Sequence, residues 1–289
     1  MENKSVTIKN DFLEVEISSR GAEIQSVKTP CGTEFIWNGN PDIWGKRTPI
    51  LFPICGRLKD GKYTYNGKTY EMTGHGFALR KNFEIKSTDE SSAVFLLKAD
   101  EETRACYPFE FEFEVGYTLN GKSLKIDYKA VNLSGNEPMY FSCGSHEGYS
   151  CPEGIEEYTL VFDKEVTLNP HPPCGEIVEA YTVPLAENVK ELKLKDEFFK
   201  VDALVFEHLG INKVSLVHNN SSKRITVEFP EQDYLLFWTK YKAPYLCIEP
   251  WAGFPDTPES DGIFENKKGI NRIEGGMSKT FTHTVTFEK

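Results

Sequence analysis

The sequence predicts an all-β protein, built as one large antiparallel β-sandwich. Three observations carry the prediction. Apolar and polar residues alternate with a period of two along much of the chain. Two Asn-Gly dipeptides each separate a pair of alternating runs. Helical periodicity is scarce.

Taken in order, Val6-Thr7-Ile8 opens the chain as strand. Residues 12–17 place Leu13, Val15 and Ile17 on one face. Lys62–Tyr65 and residues 68–72 flank Asn66-Gly67, the strongest short hairpin signal, because both central residues of a type I′ turn need positive φ. Residues 93–99 form the next run. Residues 109–115 read Phe-Glu-Phe-Glu-Phe-Glu-Val, apolar on one face and carboxylate on the other, which suits a strand with one buried and one solvated face. Asn120-Gly121 then predicts a second hairpin into residues 122–131. Further strands are expected at residues 158–162, 213–217, 224–229, Tyr234–Trp238, 245–249 and 279–287. Residues 189–200 suggest a short helical turn. There is no composition break and no internal repeat, and Asn169-Pro170-His171-Pro172-Pro173 is too short to separate domains. Residues 1–289 are therefore expected to form a single domain.

Charge narrows the partners. Of 289 residues, 44 are acidic and 33 basic, a formal net charge of −11. Nucleic acid and anionic membrane both need a positive footprint, so neither is expected. No apolar run approaches the ~20 residues of a membrane span. The first residues run directly into a strand, so no signal peptide is expected and a cytoplasmic location is. The seven cysteines, at 31, 55, 106, 143, 151, 174 and 247, are odd in number and contain no Cys-x-x-Cys. They read as reduced thiols. Cys143 and Cys151 with His146 between them lack the spacing and second ligand pair of a zinc site.

Four loops interrupt the strand pattern with chemistry-bearing residues. In Pro49 to Leu58 two prolines bracket an apolar segment, and Arg57 follows Gly56; it suits either a surface Arg or a fork for hydroxyls or a carboxylate. Gly74-His75-Gly76-Phe77 leaves an imidazole uncovered between glycines, as a structural turn or as a ligand contact. Cys143-Gly144-Ser145-His146-Glu147-Gly148-Tyr149 presents a second His after a strand, able to move a proton near neutral pH if it is not merely structural. Ala243 to Gly253 ends an apolar strand on Glu249, fixed by Pro250. A carboxylate there is costly unless used or paired. Cys247 and Glu249 share a face, and Trp251 offers an apolar plate for a ring. His171, His208, His218 and His283 read as structural or solvated.

These loops, in this order, resemble the aldose 1-epimerase (galactose mutarotase-like) family, in its LacX-type branch. The resemblance extends from Ser19-Arg20-Gly21-Ala22-Glu23-Ile24 through Phe52-Pro53, Arg57-Leu58, Gly61-Lys62-Tyr63, His75-Gly76-Phe77-Ala78, Gly144-Ser145-His146, Asp202-Ala203-Leu204-Val205-Phe206 and Cys247-Ile248-Glu249-Pro250-Trp251 to Gly269-Ile270. It implies a β-supersandwich with a cleft on one sheet, a sugar as small-molecule partner, no cofactor and no catalytic metal. It implies Glu249 as general base and His146 as general acid, with Arg57, His75 and Asp202 binding sugar hydroxyls. Two positions depart from the pattern. Leu79 stands where Arg is common, with Arg80 after it. Glu147 stands where Pro is common, and would raise the pKa of His146 if it pointed inward.

Such an activity interconverts α and β anomers of a hexose. A carboxylate takes the proton of the anomeric hydroxyl while an imidazolium protonates the ring oxygen. The expected arrangement is an ionised Glu249 and a protonated His146 facing one another across the sugar. Alternatives are a hexose-6-phosphate mutarotase, which needs cations such as Arg57 and Arg80 at the pocket, and a non-catalytic sugar-binding or sensing protein. A glycoside hydrolase is disfavoured, since it needs two carboxylates across the scissile bond.

Overall fold

The computed structural model describes residues 3–289. Its largest element is a nine-stranded, wholly antiparallel sheet. The strand order is Ala186–Lys193, Tyr158–Leu168, Lys213–His218, Arg224–Glu228, Ser278–Glu288, Ser123–Asn132, Phe111–Asn120, Ser92–Lys98 and Glu84–Thr88. Alternation along these strands buries one face. Phe111, Phe113, Val115, Tyr117 and Leu119 point inward from one strand, and Leu124, Ile126, Tyr128 and Ala130 from its neighbour.

Against this face packs a second sheet. Its strands are β1 (Cys143–Gly144), β2 (Glu147–Ser150), β3 (Leu204–Glu207), β4 (Tyr234–Trp238) and β5 (Tyr245–Ala252). β5 is central, with β4 and then β3 on one side and β1 followed by β2 on the other. All eight residues of β5 are buried, because the core covers one face and a walled cavity the other. Ile248, Phe237 and Phe206 turn toward the core, and Phe162 of the large sheet lies 6.5 Å from Phe237 by ring centroids. Each such side chain contributes about 1.5–3 kcal/mol by leaving water. One apolar cluster runs from Val6 to Phe287.

The Asn66-Gly67 hairpin forms as expected. Tyr65 pairs with Lys68, and both turn residues have positive φ, 48° and 73°. The second hairpin is displaced by one residue. Asn120 pairs with Ser123, so the turn is Gly121-Lys122, and of these only Gly121 has positive φ. Asn120 is the last strand residue because its pairing continues the ten-residue register from Phe111. The short helical turn expected within residues 189–200 is a 3-10 turn at Asp196–Phe199, and it follows an edge strand, Ala186–Lys193, that was not expected. That strand pairs with Tyr158–Leu168 at the sheet margin, with register irregularities, and most of its residues stay exposed, so its charges follow no period. A six-residue helix, Glu101–Cys106, was not expected; Asp100 and Thr103 cap it reciprocally.

Among the described residues, no helix is long and apolar enough to cross a membrane.

Candidate active site

The register between β5 and its partner builds the centre of the site. Gly144 pairs with Trp251, and Glu147 pairs with Ile248. The pairing is unbroken in step between these points, so His146 falls opposite Glu249. Their side chains meet: His146 Nδ1 lies 3.3 Å from Glu249 Oε1. On the other flank of β5, Leu236 pairs with Glu249 and Trp238 with Cys247.

Glu249 and His146 form the floor of a cavity of about 410 Å³. Arg57, His75 and Asp202 line the same cavity, so all five residues singled out in the sequence are brought together. His75 is held by Gly56. Its backbone N–H donates to the Gly56 carbonyl at 2.7 Å, and its Nδ1 accepts from the Gly56 N–H at 3.3 Å. His75 itself has a φ of 62°. Next to it, Gly76 has a φ of 72°, and a Cβ there would stand 2.1 Å from the Phe52 carbonyl oxygen. No other residue fits this crossing. Gly144 is required for a different reason: a Cβ there would meet the Trp251 indole at 2.6 Å.

Aromatic rings fix the imidazole. Trp44 stacks on His146, with centroids 5.1 Å apart and planes at 28°. Trp238 meets it edge-on at 5.4 Å and His75 at 5.5 Å. Trp251 lines the cavity, and its Nε1 donates to the Ser145 carbonyl at 2.8 Å, which anchors the residue before His146. At the mouth Arg57 pairs with Glu176 at 3.2 Å, and Asp202 is exposed, its carboxylate accepting from the Ala203 N–H.

Burial opposes charge on both floor residues. Burial, and then the Glu147 and Asp202 carboxylates, push the Glu249 pKa well above the usual carboxylate range. Burial, and then His75, hold His146 well below the usual imidazole range. Both shifts favour the neutral forms in the ligand-free site, a protonated carboxyl and an unprotonated imidazole. These directions run against the expected ionised carboxylate and imidazolium. The facing arrangement is corrected: the two groups are cross-strand neighbours on one floor, with no room for a ring between them.

Glu147 does not face the site. Strand alternation turns it to the opposite side of the sheet, where Oε1 contacts His283 Nε2 at 3.0 Å, with both residues buried. Arg80 is also turned away and donates to Thr73 Oγ1 and the Gly76 carbonyl. Leu79 does line the cavity. Trp44, Lys46, Trp238 and Lys240 join the cavity wall unannounced by any sequence motif.

This fold and cavity define a galactose mutarotase-like protein. A family model described as aldose 1-epimerase matches residues 4–264, and the chain belongs to that family. It is 30% identical over 282 residues to the chromosomal LacX protein of Lactococcus lactis, covering 93% of this chain and 94% of that one. A galactose mutarotase related enzyme from Lactobacillus acidophilus superposes with a TM-score of 0.93 at 37% identity, covering 99% and 98% of the two chains. A galactose mutarotase-like protein from Lactobacillus casei gives 0.92 at 25% identity, covering 99% and 100%.

Proposed function

We propose that this protein is a mutarotase that interconverts the α and β anomers of a hexose. The observation that carries the reading is the contact of His146 with Glu249, 3.3 Å apart on the floor of a cavity large enough for a small ligand. Ring opening must remove a proton from the anomeric hydroxyl and deliver one to the ring oxygen. Both oxygens are bonded to one carbon, so neighbouring proton carriers suit the reaction better than opposed ones. Glu249 acts as base and His146 as acid. The carboxyl proton first crosses to the imidazole, a step favoured when sugar hydroxyls donate to the carboxylate. After the open-chain carbonyl rotates, the same groups act in reverse as the ring closes. Arg57, His75 and Asp202 hold the remaining hydroxyls and set the ring's orientation. Membership of the aldose 1-epimerase family supports this reading. The test is polarimetry of freshly dissolved α-D-glucose and α-D-galactose; rates equal to buffer alone overturn it.

One observation favours a second reading, a phosphorylated hexose as substrate. Lys46 and Lys240 line the cavity together with Arg57, which gives it more positive charge than the sequence motifs alone suggested. A kcat/KM for glucose 6-phosphate at least tenfold above that for glucose decides for this reading, and the reverse ratio decides against it.

A further inference from the structure

Directly beneath the cavity floor, buried behind its wall with Tyr245 and Trp37, lies a third potential donor that the proposed reaction does not use. Cys247 lies two residues before Glu249 on the same face of β5. One donor atom from each of His146, Cys247 and Glu249 lies within 4.8 Å of the others. Cys247 and Glu249 are 0% and 1% exposed. Glu249 Oε2 is buried without a hydrogen-bond partner among the described residues, as is His146 Nδ1.

These distances suit a small tetrahedral ion. Nitrogen and oxygen ligands about 2.0–2.2 Å from zinc stand roughly 3.3–3.5 Å apart at the tetrahedral angle. His146 Nδ1 and Glu249 Oε1 are already at 3.3 Å. Bringing in the sulfur takes a shift of up to about 1.2 Å from the 4.8 Å limit, since a thiolate at about 2.3 Å lies roughly 3.6 Å from its fellow ligands. A thiolate, an imidazole and a carboxylate form a soft, borderline donor set that selects zinc or cadmium over magnesium or calcium. The two anionic ligands balance the ion's two charges in a buried place.

We propose that His146, Cys247 and Glu249 form an inhibitory site for a thiophilic divalent cation, with the fourth coordination position open to the cavity. On binding, the Cys247 S–H and the Glu249 carboxyl each release a proton to solvent, and metal–sulfur, metal–oxygen and metal–nitrogen bonds form. No electron is transferred. The ion occupies both groups that anomer exchange requires, so the metal-free chain is the active form. Ion binding itself is independent of whether the cavity turns over a sugar.

The test titrates chelator-treated protein with cadmium and follows the ultraviolet thiolate-to-cadmium band. Cys31, Cys106 and Cys174, whose residues are exposed or part-exposed, are first replaced by Ser. The expected result is a band that saturates at one ion per chain and an apparent Kd raised more than about 100-fold by Cys247→Ala, beyond the 10–100-fold typical of losing an outer partner. Absence of the band, or its persistence in Cys247→Ala, overturns the site. Cadmium NMR of the unsubstituted chain needs no variant to fold: mixed sulfur, nitrogen and oxygen ligation supports the site, and all-oxygen ligation overturns it. A chain that binds the ion but never speeds anomer exchange overturns the proposed reaction and leaves the site standing.

Discussion

Replacing Glu249 by Gln keeps the side chain's size and removes its capacity to accept a proton. If Glu249 is the base, anomer exchange falls by roughly 10²–10⁴-fold, the usual worth of one general acid or base. That corresponds to about 2.7–5.5 kcal/mol of barrier. Stability changes little. Glu249 is 1% exposed, and burial favours its protonated form, for which a neutral amide is a close substitute. Urea unfolding stays within about 1 kcal/mol of the parent. His146→Asn has a comparable effect on rate. The double variant is the sharper probe. Because the two side chains touch and act in one step, losing both costs about tenfold more than the worse single loss, not the product of the two. Polarimetry of α-D-galactose, with the buffer rate subtracted, supplies the rates. Wild-type exchange in Glu249→Gln, or a double variant equal to the product of the singles, refutes the reasoning.

Other expectations concern the scaffold. Glu147 and His283 form a buried pair between the sheets, so Glu147→Leu alone leaves an unpaired imidazole and costs about 1–3 kcal/mol by urea unfolding; Glu147→Leu with His283→Leu regains at least half of that. Gly76→Ala forces a left-handed φ on a Cβ that clashes with backbone, and lowers stability by more than about 2 kcal/mol; an unchanged urea midpoint contradicts the close crossing of Gly76 over Phe52. His75 has its pKa lowered from 6.5 to about 4 by burial, then by Arg57 and Arg80. Between those values the unfolded chain binds a proton that the folded chain does not. This contribution to stability is complete above 6.5, shrinks as pH falls toward 4, and amounts to at most about 3 kcal/mol, because the residue keeps some exposure to the cavity. Thermal melts of His75→Asn should lack that part of the acid slope, and an identical slope in both proteins contradicts the assignment.

Period-two patterning made the strands legible because each strand lies between a core and something more polar. Phe111–Asn120 shows this most plainly. The pattern failed at Ala186–Lys193, where an edge strand with little burial has no apolar face to mark. It also misplaced the second turn by one residue, because strand pairing outweighed the local preference of Asn120. Glu147 was ambiguous for a related reason. Alternation says that it and His146 point to opposite faces, but only the packed sheets say which face is core and which is cavity.

Residue types and their loops were enough to nominate Arg57, His75, His146 and Glu249, and the family resemblance added Asp202. The chain alone also marked Glu249 as a carboxylate too buried to be idle. What required three dimensions was their mutual placement. Cross-strand register set His146 beside Glu249, and Trp44, Lys46, Trp238 and Lys240 closed around them from segments with no motif of their own. Local sequence encodes which face a side chain takes. Which strand lies alongside, and in what register, is decided by long-range packing, and the protonation state of the floor follows from the burial that this packing creates.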